Sequence, residues 1–104
     1  MIAWERVEEL REDIGAEDFN EVLELFMDEV KVLLDELRTD PSPRDLEERM
    51  HFLKGSAFNI GFSAMGDLCR DAEVAAASGH PDPRALSQIS RCFEASREEL
   101  FTRA

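Results

Sequence analysis

Apolar residues recur at three- and four-residue intervals along most of the chain, which is the period of helices with one buried face. The first such stretch covers about 3–14, with Trp4, Val7, Leu10 and Ile14 on one stripe, and Gly15 breaks it. The longest covers about 18–38, through Phe19, Val22, Leu23, Phe26, Val30, Leu33, Leu34 and Leu37. Asp18 with Glu21 resembles a capping box at its start. After the turn at Thr39-Asp40-Pro41-Ser42, a third helix is expected with Ser42 as N-cap and Pro43 at its first position. It runs to Ile60, where Gly61 is a natural stop. A fourth covers about 63–78 and ends at Gly79; its Ala72, Ala75, Ala76 and Ala77 permit close helix approach. Asp82 with Pro83 opens a fifth, which carries Leu86, Ile89, Phe93 and Leu100 towards a core. Four longer helices joined by short loops predict an all-α, up-down antiparallel four-helix bundle, with the shorter N-terminal helix capping one end.

The 104 residues suit a single domain spanning 1–104. Hydrophobic residues make up 43% of them, there is no Tyr, and neither a repeat nor a low-complexity tract is visible. The formal net charge of −12 repels nucleic-acid phosphates and anionic membranes, so neither is expected as a partner. No apolar run nears the ~18 residues a membrane span needs, and no leader sequence is evident, so a cytoplasmic location is expected. Cys69 and Cys92 stand 23 positions apart without a CxxC pair; buried free thiols are expected, and no metal site.

The chemistry concentrates in the third helix. At about 100° per residue, Leu46, Met50, Leu53, Ala57 and Ile60 fall within a sector of roughly 80° and form its core stripe. His51 falls nearly opposite, with Arg44, Glu47, Glu48, Lys54, Gly55 and Phe58 on its side. An outward imidazole is a competent nucleophile near neutral pH, because much of it is uncharged. Gly55, one turn after it, costs a helix interior roughly 1 kcal/mol relative to Ala and leaves bare backbone for a close visitor. Lys54 reaches an anion on the ring, or else pairs with Glu47 on its own helix. Phe58 suits a docking surface or the edge of the core. Nε2 attacks phosphorus when Nδ1 holds the proton. Glu73, level with His51 if the helices pair through the turn at Gly61, is the candidate to accept that hydrogen bond. Ser56 reads as a small packing residue, and His80, in a Gly-His-Pro loop, as inert.

The run His51, Leu53, Lys54-Gly55-Ser56 and Gly61 resembles the signature of histidine phosphotransfer (HPt) domains, and weaker similarity continues through Leu68, Cys69 and Glu73. The resemblance implies that His51 is the phosphoacceptor, that Lys54 stabilises the phosphoryl group, and that Glu73 orients the ring. It implies that Gly55 clears space for the partner; Phe52, Phe58 and Glu48 are the further candidates for the partner-binding surface. Met50 stands where Ala is common, and Phe58 and Asn59 where smaller residues are common. These departures bear on partner choice.

The expected function is a phosphocarrier, taking a phosphoryl group from a receiver-domain phosphoaspartate and passing it to a second receiver's aspartate. The chain has no Gly-rich nucleotide loop and no carboxylate cluster for Mg²⁺, so no cofactor and no ATP-dependent kinase activity of its own are expected. Response-regulator receivers are the expected partners, a hybrid histidine kinase is a further candidate, and a monomer is expected. Two other readings stay open: a phosphoacceptor module served directly by the ATP domain of a chemotaxis-type kinase, and a non-catalytic helical adaptor in which His51 is incidental. Met1 and the lack of further domains favour a free-standing shuttle over a kinase fragment.

Overall fold

The computed structural model describes residues 1–40 and 44–103. It holds five helices: α1 Trp4–Ile14, α2 Ala16–Thr39, α3 Leu46–Ile60, α4 Ser63–Ala77 and α5 Ala85–Arg103. The all-helical class and the five segments agree with the hydrophobic pattern. Two helix starts do not. Gly15, at φ 96°, is both the end of α1 and the residue before α2, so α2 begins at Ala16 and Asp18 lies inside its first turn. No side chain caps that start; the capping box read at Asp18 and Glu21 is absent, since a flexible glycine already makes the sharp break. α3 begins at Leu46, after a turn at Arg44 and Asp45. Arg44 is therefore not on the helix, and the N-cap expected of Ser42 and Pro43 falls outside the described residues.

α2, α3, α4 and α5 pack in a ring, each touching the next and α5 returning to α2. α3 and α4 form the most extensive pair. Their turn explains this. Phe62 N–H bonds to Ala57 O at 2.7 Å and Gly61 N–H to Phe58 O at 3.2 Å, the paired bonds of a Schellman ending. That ending requires a left-handed residue, and Gly61 supplies it at φ 90°. It reverses the chain within two residues, so α3 and α4 run side by side for their full length. α1 covers this turn: Ala3 N–H bonds to Gly61 O at 2.7 Å, and a Cβ on Gly61 would lie 2.9 Å from Ala3 O. At the other end of the pair, Asp82 Oδ1 accepts the Arg84 backbone N–H at 2.9 Å just before α5.

The core stripe of α3 is as the spacing predicts: Leu46, Met50, Leu53, Ala57 and Ile60 are all buried. α2 is rotated slightly from expectation. Met27 joins Phe19, Leu23, Val30, Leu34 and Leu37 inside, whereas Val22 is exposed and Phe26 and Leu33 are only half-buried. Ile89, Phe93 and Leu100 of α5 are buried, and Leu86 is partly so. Cys69 is fully buried and Cys92 only partly; both are free thiols. Burial pushes the Cys69 thiol up to about 12, so it stays protonated and unreactive.

Candidate functional site

α3 presents three parallel strips to solvent. His51 and Gly55 form the middle ridge, one helical turn apart. Lys54 and Phe58 lie on the edge facing α4. Phe52, Ser56 and Asn59 lie on the edge facing α2, where with Phe26, His51 and Gly55 they line a shallow depression. A Cβ built on Gly55 meets nothing within 4 Å, so the backbone beside His51 is open to an incoming surface.

The His51 side chain is 69% exposed. Its Nδ1 lies 2.8 Å from Glu73 Oε2, and Lys54 Nζ lies 2.7 Å from Glu73 Oε1. The short turn at Gly61 makes this meeting possible, because positions 51 and 73 lie at nearly the same distance from it along antiparallel helices. A carboxylate can only accept, so Nδ1 carries the hydrogen; in the neutral ring Nε2 then keeps its lone pair. Nε2 has no partner among the described residues. The Lys54 hydrogen bond first, and the His51 hydrogen bond second, hold the Glu73 carboxyl below its ordinary range. Glu73 is therefore ionised at neutral pH, with one oxygen on each partner. Two of three Lys54 ammonium hydrogens remain for another anion. The pairing with Glu47 considered from sequence does not form; the Lys54 ammonium reaches across to Glu73 on α4.

Phe58 is 39% exposed, and its ring rests on Gly66 of α4. A Cβ at Gly66 would lie 2.5 Å from the ring carbon Cε1, closer than packed atoms approach. Phe58 thus serves the α3–α4 seam with one face while the other meets solvent. Glu48 and Phe52 are exposed, as a partner-facing role requires. Ser56 is half-buried at the rim of the depression. His80 sits in the exposed connection after α4, where its backbone N–H bonds to Ala75 O at 3.0 Å and its ring has no hydrogen-bond partner among the described residues.

Two features escape the sequence. Leu25 and Val32 of α2 are 62% and 57% exposed and, with Leu33 and Phe52, line an apolar groove that adjoins the His51 depression through Phe52. The helical period already sets both off the buried stripe of α2, but it does not show that they share one groove with Phe52 of α3. Arg6 of α1 grips Asn59 near the C-terminal end of α3, and no local spacing links residues 53 positions apart.

Among the described residues no group of three or more His, Cys, Asp or Glu side chains is arranged to hold a metal ion. No helix among them is long and apolar enough to cross a membrane.

An exposed imidazole held at Nδ1 by a carboxylate on the neighbouring helix is an arrangement chemically able to carry a transferred group. Residues 21–99, most of the chain, match the family model of the Hpt domain, and the protein belongs to that family. Membership implies histidine phosphotransfer in two-component signalling. No curated protein and no solved structure matches the chain significantly.

Proposed function

We propose that His51 is the phosphoacceptor of a carrier that takes a phosphoryl group from a receiver-domain phosphoaspartate and delivers it to the aspartate of another receiver. The observation that carries this reading is the pairing of a free Nε2 with an Nδ1 held by Glu73. In the forward step the Nε2 lone pair attacks phosphorus in line. The P–O bond to the receiver aspartate breaks, and that carboxylate leaves with the bonding electrons. No proton need move, because Nδ1 keeps its hydrogen. The product is a phosphorylated imidazolium, and its positive ring lies against the Glu73 carboxylate. Lys54 turns its remaining hydrogens to the phosphoryl oxygens. Metal-assisted neutralisation of the transferring group belongs to the receiver.

Gly55, Phe52, Phe58 and Glu48 form the contact face for that receiver, and a hybrid histidine kinase carrying a receiver is a second source of phosphate. The whole of 1–104 acts as one unit, since α1 lies outside the matched segment yet holds the α3–α4 turn. We place it in the cytoplasm as a monomer, with no cofactor of its own and no affinity for nucleic acid or membranes.

The test incubates the protein with a phosphorylated receiver and follows labelled phosphate, beside His51→Gln. Acid-labile, alkali-stable label that disappears in the variant supports the carrier. Binding to receivers without label supports an adaptor, and label that needs a kinase's ATP domain supports a kinase-served module.

A further inference from the structure

Asn59 lies about two turns after His51 on the α2-facing edge of α3 and lines the same depression. It is tied from outside the four-helix ring. Arg6 Nε donates to the Asn59 backbone carbonyl at 2.9 Å, one of the last carbonyls of α3 that no helix N–H can satisfy. Arg6 Nη2 donates to Asn59 Oδ1 at 2.8 Å, and Nη1 pairs with Glu9 Oε2 at 3.1 Å. A guanidinium has donors only. The atom facing it must therefore be the amide oxygen, and the amide cannot flip without setting donor against donor. This leaves Nδ2, with two hydrogens, on the solvent side, where it meets no acceptor among the described residues. Arg6 is itself placed by the N-terminal segment: Ala3 N–H bonds to Gly61 O, and Ser63 Oγ donates to Met1 O at 2.9 Å.

Resting on the phosphotransfer reading above, we infer that Asn59, with its amide orientation set by Arg6, is a specificity-determining contact that presents a hydrogen-bond donor to an acceptor on the docking receiver. Asn59 selects the partner, and Arg6 is a positioning residue that acts through it. A receiver with an acceptor opposite this position gains a bond. One that offers a donor there leaves two donors facing each other, which disfavours it.

Kinetics of transfer from a phosphorylated receiver to the full chain test this, with KM and kcat measured separately. Asn59→Leu removes the donor at nearly constant volume and raises KM about 3- to 10-fold, the loss of one hydrogen bond. Asn59→Asp sets an acceptor against an acceptor and raises KM about 10- to 100-fold, with the smaller change in kcat. Arg6→Leu frees the amide to flip and raises KM about 2- to 5-fold, whereas Arg6→Lys, still donor-only, returns it to within about twofold of wild type. Thermal melts of each variant separate folding from docking; should Arg6→Leu fail to fold, the Asn59 pair still decides. Wild-type transfer with unchanged KM in both Asn59 variants overturns the inference while leaving the carrier intact. Arg6→Lys behaving like Arg6→Leu overturns the role given to Arg6. A wild-type chain that takes label neither from receivers nor from phosphoramidate overturns the carrier reading itself.

Discussion

The chain holds two histidines, and both face solvent, yet they sit in different physical settings. His51 stands mid-helix, its ring tied to Glu73 and its flank left bare by Gly55. His80 stands in a connection between helices, and among the described residues only its backbone is hydrogen-bonded. Exposure is common to both, so exposure does not make the site. The difference is that one ring has a fixed tautomer and direction, supplied by a neighbouring helix, while no such support surrounds the other.

The strongest way to break this comparison is to remove each ring in turn. His51→Gln is expected to abolish acid-labile phosphate, and His80→Gln to leave it within about twofold; label lost in the His80 variant would overturn the assignment. Removing the support without the ring comes next. Glu73→Ala should slow transfer about 10- to 100-fold, since the tautomer and ring direction are no longer held. Glu73→Gln should retain more, because an amide oxygen still accepts from Nδ1. Equal rates for wild type and Glu73→Ala in a single-turnover assay would show that orientation contributes nothing.

Two glycines within helices, Gly55 in α3 and Gly66 in the first turn of α4, sharpen the contrast between the open ridge and the packed seam. Gly66→Ala drives a methyl into the Phe58 ring and is expected to destabilise the fold by about 1–3 kcal/mol. For a chain this size each kcal/mol lowers Tm by about 4–8 °C. Gly55→Ala enters open space and should instead stabilise by about 0.5–1 kcal/mol while slowing transfer from a receiver. A stabilised Gly55→Ala that also transferred faster would contradict the docking role of the bare backbone.

The smallest effect is in pH. Glu73 has its acidity strengthened by Lys54 and His51, so its folded carboxyl titrates below the unfolded one. Its contribution to stability is therefore present above the unfolded carboxylate range and fades as pH falls through the folded value. The Tm difference between wild type and Glu73→Gln should shrink as pH drops from 6 to 3. A difference that grows instead would reverse the sign.

Much of the site was legible because its parts are local. His51, Lys54 and Gly55 lie within one helical turn, and the core stripe at Leu46, Met50, Leu53, Ala57 and Ile60 leaves only one direction for the imidazole. Glu73 was legible too, since a two-residue reversal at Gly61 makes the level of facing residues a matter of counting. The helix starts at Gly15 and Asp45 were not, because several residues there could serve as caps and packing chose among them.

Periodicity thus determined the helices, the outward histidine and the carboxylate opposite it, all set by the fixed rise and twist of an α-helix. Tertiary structure alone decided that Lys54 grips Glu73, that Phe58 lies on Gly66, that Leu25 and Val32 share a groove with Phe52, and that Arg6 holds Asn59. Those contacts depend on how far each helix is rotated about its axis and where α1 comes to rest. Both are settled by the packing of the whole core, and no short stretch of sequence encodes that.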